Sequence, residues 1–158
     1  MVEVVAKGGN VMARVLTNII DKMSTAKRVE IGFMFGGDDA QTSGEYEDGT
    51  PVAMIAMINE FGQTRIHPHQ PPRPFFRNMI AEKQSEWPEA AKLAMKNANY
   101  DAKATLRFIG EGIDGQLKDS IDKFLTPALA QATVDKKGFD KPLIDTGLMR
   151  KSVTYKVR

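Results

Sequence analysis

The chain has 158 residues, with 22 Lys plus Arg against 20 Asp plus Glu, a net charge of +2. That length is one domain's worth, and 42% hydrophobic with 27% charged residues is globular composition rather than disorder. The absence of cysteine excludes disulfide scaffolds, thiol nucleophiles and thiolate metal sites, and no apolar run reaches the ~18 residues of a membrane span.

The opening residues, with Glu3 among them, lack the basic-then-apolar layout of a secretory signal and are expected not to act as one. Val2, Val4 and Val5 around Glu3 suggest a short strand over 2–6. Asn10 then reads as the N-cap of a helix to about Ser24, with Val11, Val15, Leu16, Ile19 and Met23 on one apolar stripe. Residues 29–35, Val-Glu-Ile-Gly-Phe-Met-Phe, alternate as a strand does. The Gly-, Ser- and Asp-rich stretch at about 37–49 reads as a flexible acidic loop, with Tyr46 its sole apolar anchor. Thr50-Pro51 starts a helix through Val52, Ile55, Ala56 and Ile58 to Phe61, and Gly62 stands where a left-handed cap belongs. Pro68, Pro71, Pro72 and Pro74 make 65–74 a stiff, non-helical connector. Pro74 opens the next helix, with Phe75, Phe76, Met79 and Ile80 inward, and Trp87-Pro88 interrupts it before a second piece to about Ala98. The longest helix is expected at 101–125, on Leu106, Ile109, Ile113, Leu117, Ile121 and Phe124, with Asp114–Lys118 and Asp119–Lys123 as solvent-side i,i+4 pairs. Gly110, Gly112 and Gly115 each cost about 1 kcal/mol in such a helix, which a close helix or backbone contact would offset. Pro127 ends it. Residues 131–136 read as a weak strand, and 152–157 as a last strand with Val153, Tyr155 and Val157 on one face.

These elements predict a single α+β domain over 1–158: an antiparallel sheet of about four strands, at 2–6, 29–35, 131–136 and 152–157, with helices packed on one face. Phe61 and Phe75 are expected to be core anchors of the proline connector, each worth about 3–5 kcal/mol to the fold.

Charge is unevenly placed. Residues 38–48 hold Asp38, Asp39, Glu45, Glu47 and Asp48 with no cation. Arg65, Arg73 and Arg77, with His67 and His69, populate 61–81 without an acid, and Arg150 and Lys151 belong to a basic final segment. These are either solvated surfaces or complementary faces on copies of one subunit, since unlike potentials steer association. Asp38, Asp39, Glu45, Glu47, Asp48, Arg65, Arg77, Arg150 and Lys151 are therefore candidate subunit-interface residues.

Little in the chain suggests catalysis. Leu143-Ile144-Asp145-Thr146-Gly147 matches the aspartic protease signature, where two such aspartates share a proton across an interface. Only 11 residues follow Gly147, and one copy would need a dimer. The competing reading is a turn in which Asp145 or Thr146 caps a short helix through Leu148, Met149 and Arg150, with Gly147 supplying backbone freedom. His67-Pro68-His69 is half of a metal site with no third ligand nearby. Arg73 either binds a phosphate or, the preferred reading, bonds neighbouring carbonyls. No catalytic, metal or cofactor residue is assigned.

Two segments go beyond generic patterns. One is Ile58-Asn59-Glu60-Phe61-Gly62 followed by Arg65-Ile66 and Pro72-Arg73-Pro74-Phe75-Phe76-Arg77. The other runs from Leu125-Thr126-Pro127 through Thr133 and Lys136-Lys137-Gly138 to Pro142-Leu143-Ile144-Asp145-Thr146-Gly147-Leu148 and Ser152-Val153-Thr154-Tyr155. Together, over roughly residues 55–158, they resemble the neck and tail-completion proteins of long-tailed bacteriophages, which also go by the name of minor tail components. A departure lies in the connector, where His67-Pro68-His69-Gln70 lengthens the path from Gly62 to the Pro-Arg-Pro-Phe element. The resemblance implies a structural virion protein that forms a ring at the head–tail junction, assembled in the bacterial host cytoplasm, with no reaction, metal or cofactor. Its implied partners are further copies of itself and other neck and tail proteins, with non-specific contact to DNA in the lumen and no membrane. Asn59, Glu60, Phe61, Gly62, Pro72, Arg73, Pro74, Phe75, Asp145, Thr146, Gly147 and Leu148 are then structural motif residues. The alternatives are a tail-terminator ring and, from another class, a dimeric aspartic protease using Asp145-Thr146-Gly147.

Overall fold

A computed structural model of the chain describes residues 4–34, 38, 44–63, 70–138 and 140–158. In chain order the elements are α1 (Val4–Met23), β1 (Val29–Gly32), α2 (Val52–Phe61), α3 (Phe75–Lys83), α4 (Trp87–Asn97), α5 (Ala102–Lys123), α6 (Gln131–Lys137), α7 (Leu148–Lys151) and β2 (Thr154–Val157). Helix dominates. Among the described residues the sheet is a two-stranded antiparallel pair, with Val29 opposite Val157 and Gly32 opposite Thr154. The expected four strands are thus corrected to two.

The corrections have local causes. Val4 and Val5 precede Val11 and Met12 by seven residues, so they continue the helical series of α1 rather than alternating as a strand. Asn10 consequently lies inside the helix. Residues 131–136 belong to α6, where Gln131 Nε2 donates to Asp135 Oδ1 at 2.8 Å one turn on and Gly138 closes the end in left-handed geometry. The last strand is shorter than 152–157, because the α7 turn uses Ser152, whose N–H donates to the Leu148 carbonyl at 2.9 Å.

Helix α5 is the scaffold. It runs 22 residues from the Asp101 cap, whose carboxylate accepts the Ala104 N–H at 2.8 Å, and it packs on α3, α4 and both strands. Its buried stripe is Gly110, Asp114, Leu117 and Ile121. Asp114–Lys118 is therefore not a solvent-side pair: the 2.7 Å ion pair is largely buried, whereas Asp119–Lys123 is exposed as expected. The core holds Val52, Ala56, Phe75, Met79, Leu117, Ile121, Leu143, Met149 and Val153. Phe75 is its aromatic centre, edge-on to Phe33 at 6.2 Å and to Phe76 at 6.4 Å. Ser120 Oγ of α5 donates to the Phe75 carbonyl at 2.7 Å, and Trp87 Nε1 donates to Gln116 Oε1 at 2.9 Å, so α3 and α4 are both pinned to the scaffold.

The acidic stretch is more constructed than an open loop where it is described. Tyr46 N–H donates to Thr50 O, Gly49 N–H to Tyr46 O and Val52 N–H to Gly44 O, all within 2.9 Å. Asp38 N–H donates to Tyr155 O at 2.7 Å and its carboxylate accepts the Val157 N–H at 3.2 Å. Asp38 thereby occupies the outer edge of β2, which would otherwise be an open pairing template. Asp39 and the rest of 39–43 lie outside the described residues.

The three glycines of α5 differ. A Cβ on Gly110 would lie 2.6 Å from the Tyr155 ring, so the helix rests directly on the sheet there. Gly112 and Gly115 have nothing within 4 Å. Gly110→Ala is therefore expected to lower stability by about 1–3 kcal/mol through overpacking, and Gly112→Ala to raise it by up to about 1 kcal/mol through helix propensity. Urea unfolding of the two variants checks the contrast; equal effects would place the Gly110 contact elsewhere.

Candidate functional site

The motif residues Asn59-Glu60-Phe61-Gly62 end α2, and Pro72-Arg73-Pro74-Phe75 lead into α3, so the two halves of the motif meet where one helix gives way to the next. The first four N–H groups of a helix lack intrahelical partners. In α3 two of them find Glu60. Its carboxylate accepts the Phe76 N–H at 2.9 Å and the Arg77 N–H at 3.2 Å, and it pairs with Arg77 Nε at 2.7 Å. The Arg77 guanidinium also donates to the Glu60 carbonyl at 3.0 Å. Negative charge is favoured at this end of a helix, and Glu60 is 5% exposed, so water competes little for these bonds.

Asn59 secures the connector. Its carbonyl accepts the Arg73 N–H at 2.6 Å, and its side-chain oxygen accepts from Gln70 Nε2 at 2.7 Å and from Arg73 Nη1 at 3.4 Å. Its Nδ2 donates back to Ile55 O at 3.0 Å. Gln63 and Gln70 exchange backbone hydrogen bonds at 2.8 and 2.9 Å and close the excursion at its base. Gly62 makes that closure possible. Its φ is +75°, and a Cβ there would stand 2.8 Å from the Gln70 carbonyl and from the Pro72 nitrogen. Arg73 is buried and bonds a neighbouring carbonyl-type oxygen, the structural alternative preferred from sequence; burial lowers its pKa, and its Nε has no partner among the described residues. Arg65, His67 and His69 lie outside the described residues, so their interface and metal readings do too.

Phe61 is a correction. It is 62% exposed, not a core anchor, because the inward positions of α2 are taken by Val52, Ala56, Asn59 and Glu60. Arg77 stacks on its ring at 4.8 Å, so one arginine ties Phe61 to Glu60 across the helix junction. Met54 and Met57 join Phe61 on this outer face. Sequence reasoning missed that stripe, although its signal was present: α2 carries two apolar series at helical spacing, one for each side.

Asp145-Thr146-Gly147-Leu148 forms a turn. Thr146 Oγ1 accepts the Leu148 N–H at 3.2 Å, and Gly147 sits at φ +76° as the N-cap of α7. Asp145 is exposed and borders a cleft of about 290 Å³ with Tyr46, Asp48, Asn59 and Met149. Burial, then the Asp145 and Asp48 charges, push the Tyr46 phenol above its ordinary pKa. Asp48 itself is held below the usual carboxylate range by the Thr50 backbone and side chain. Of the candidate interface residues, Glu45, Glu47, Asp48 and Lys151 are exposed on the surface, while Arg77 and Arg150 are engaged, Arg150 with Asp122 at 2.7 Å. Among the described residues no group of three or more acids and histidines is arranged to hold a metal ion, and no helix is long and apolar enough to cross a membrane. No family model, curated protein or solved structure matches the chain.

Two measurements test this geometry. Glu60→Gln should cost about 1.5–3 kcal/mol, the scale of buried hydrogen bonds to a charge. Arg77→Met should cost about 1–3 kcal/mol, since it leaves the buried Glu60 charge without its cation while both amides remain. A double-mutant cycle by chemical denaturation separates the two; Glu60→Gln without cost in the Arg77→Met background would refute the capping role. Separately, Asp145→Asn should bring the Tyr46 titration back toward its ordinary range, because a removed negative charge eases phenol ionisation. Phenolate absorbance against pH reads the shift, and an unmoved Tyr46 would mean the two groups are not neighbours.

Proposed function

We propose that the chain is a structural virion protein of a phage or prophage that acts by oligomeric assembly at the head–tail junction, as a joining or tail-completion ring. The observation that carries this reading is the use made of the resembling motif. Asn59, Glu60, Gly62 and Arg73 spend their polar groups on holding α2, the connector and α3 together. The same arrangement turns Met54, Met57 and Phe61 outward. A motif that builds a junction and presents an apolar face suits a protein whose work is contact with other subunits. The acidic 45–48 turn and the basic residues of the chain's final segment supply unlike faces, as a head-to-tail ring needs.

A tail-terminator ring is the neighbouring reading and uses the same surfaces. The protease reading rests on Asp145, whose turn is explained by the Thr146 cap and the Gly147 conformation. Antibody labelling of purified virions in the electron microscope is the test: label at the neck is expected, and label at the distal tail or none would overturn the assignment. In parallel, Asp145→Asn should leave virion assembly intact. Peptide cleavage by the purified protein, lost in that variant at unchanged stability, would sink the structural reading.

A further inference from the structure

Among the described residues, two of the apolar surfaces that face solvent differ in shape. The first is a ridge. Helix α1 packs lightly on α5 and leaves Val15, Leu16, Ile20 and Met23 about half exposed or more, with Ile20 at 64%. Leu16, Ile20 and Met23 stand at i, i+4 and i+7, one continuous line along the helix. The second is a groove. Phe33, Ala53, Met57, Phe61 and Phe76 line a trough of about 240 Å³ between α2 and the start of α3. It continues past Phe33 and Ala53 toward Met34, Pro51 and Glu45.

Charge fixes the direction. The end of the ridge carries Lys22 and, past Met23, exposed Lys27, with Asp21 beside them, while Arg28 is held by Glu30 at 2.8 Å. The α2 N-terminal end of the groove carries exposed Glu45, Glu47 and Asp48.

We propose that α1 of one copy lays its Leu16, Ile20 and Met23 ridge into the α2–α3 groove of the next copy, antiparallel to α2, with Lys27 against the acidic turn. The contact is heterologous, since ridge and groove are different parts of the chain, so repetition gives a closed ring or a filament. This rests on the ring reading above and names the contact that closes the ring. The groove recognises an amphipathic helix by its apolar line, as helix-in-groove partners do.

The chain has no cysteine, which makes the test clean. Ile20→Cys and Met57→Cys are placed in the full chain, singly and together, at positions exposed enough to leave the fold intact, with circular dichroism as the check. On oxidation, a mixture of the two single variants is expected to give a linked dimer containing one copy of each, and the double variant a ladder of linked copies. Ile20→Asp or Met57→Asp should abolish self-association in light scattering. Glu47→Lys should weaken it, and Lys27→Glu in the same chain should restore it. A double variant that links within one chain would place α1 on its own groove and overturn the proposal. Oligomers without a 20–57 link would overturn it while leaving the ring reading standing. A monomer whose residue 57 links only to a different protein in assembled virions would give the groove to that partner instead. A protein that stays monomeric and unlinked at every concentration overturns the docking, and virion labelling then judges the ring reading by itself.

Discussion

The Glu60 carboxylate is the constraint on which the rest of the outer surface depends. It lies at the end of α2 and accepts hydrogen bonds from the first free amides of α3, so it fixes one helix against the next at a point where water is excluded. A buried charge is costly unless it is paired and hydrogen-bonded, and here both conditions are met by groups that only this helix junction brings together. Because Glu60 and Asn59 must face inward, the helical repeat turns Phe61 and Met57 outward. The exposed face of α2 is thus a consequence of the polar junction rather than an accident of composition.

Beneath that junction, α5 plays the part that a larger sheet plays in many α+β domains. Two four-residue strands cannot form an independent core. They are held because Gly110 lets the helix backbone approach the Tyr155 ring, and because Tyr155 Oη donates to Glu111 Oε1 at 3.2 Å on the same helix. Asp38 then covers the outer edge of β2. Arg28 and Arg158 flank Glu30 at 2.8 and 2.9 Å, and these two bonds lower the Glu30 pKa. The sheet is therefore an ornament on a helical scaffold, stabilised from outside itself.

What was legible in the sequence follows the reach of each signal. Helices α2 to α5 and the strand at Val29 have strong periodicity or punctuation, and Gly62, Pro74, Asp101 and Gly147 mark their ends close to where they fall. Residues 2–6 and 131–136 misled because a few β-branched residues carry little information without a partner strand, and strand propensity is mostly context. The solvent-side assignment of Asp114 failed for a similar reason: spacing identifies an i,i+4 pair but not which side of a helix other elements will cover. Among the motif residues, Gly147 and Thr146 act as their chemistry suggested, whereas Gly62 has the positive φ but, at ψ 175°, not the left-handed cap geometry expected of it. The role of Glu60 was not readable, because its partners are backbone amides 16 and 17 residues away. Arg65, His67, His69 and Asp39 lie beyond the described residues.

The apolar surface left over has a further consequence. A monomer normally turns its helices so that each apolar stripe meets the core. Helix α1 does not: its ridge stays in water although β1, which follows it within six residues, packs firmly on α5. The short link holds α1 at the sheet side of α5, while a largely apolar groove opens between α2 and α3. Core demand fixes the groove, since Phe75 and Ala56 form its floor as part of the interior. Filling it from within would require α1 to leave α5. A second copy would need no such rearrangement, and in the docking we propose it would cover ridge and groove together. The geometry that leaves ridge and groove uncovered in one chain is the geometry that the proposed repeating contact would use.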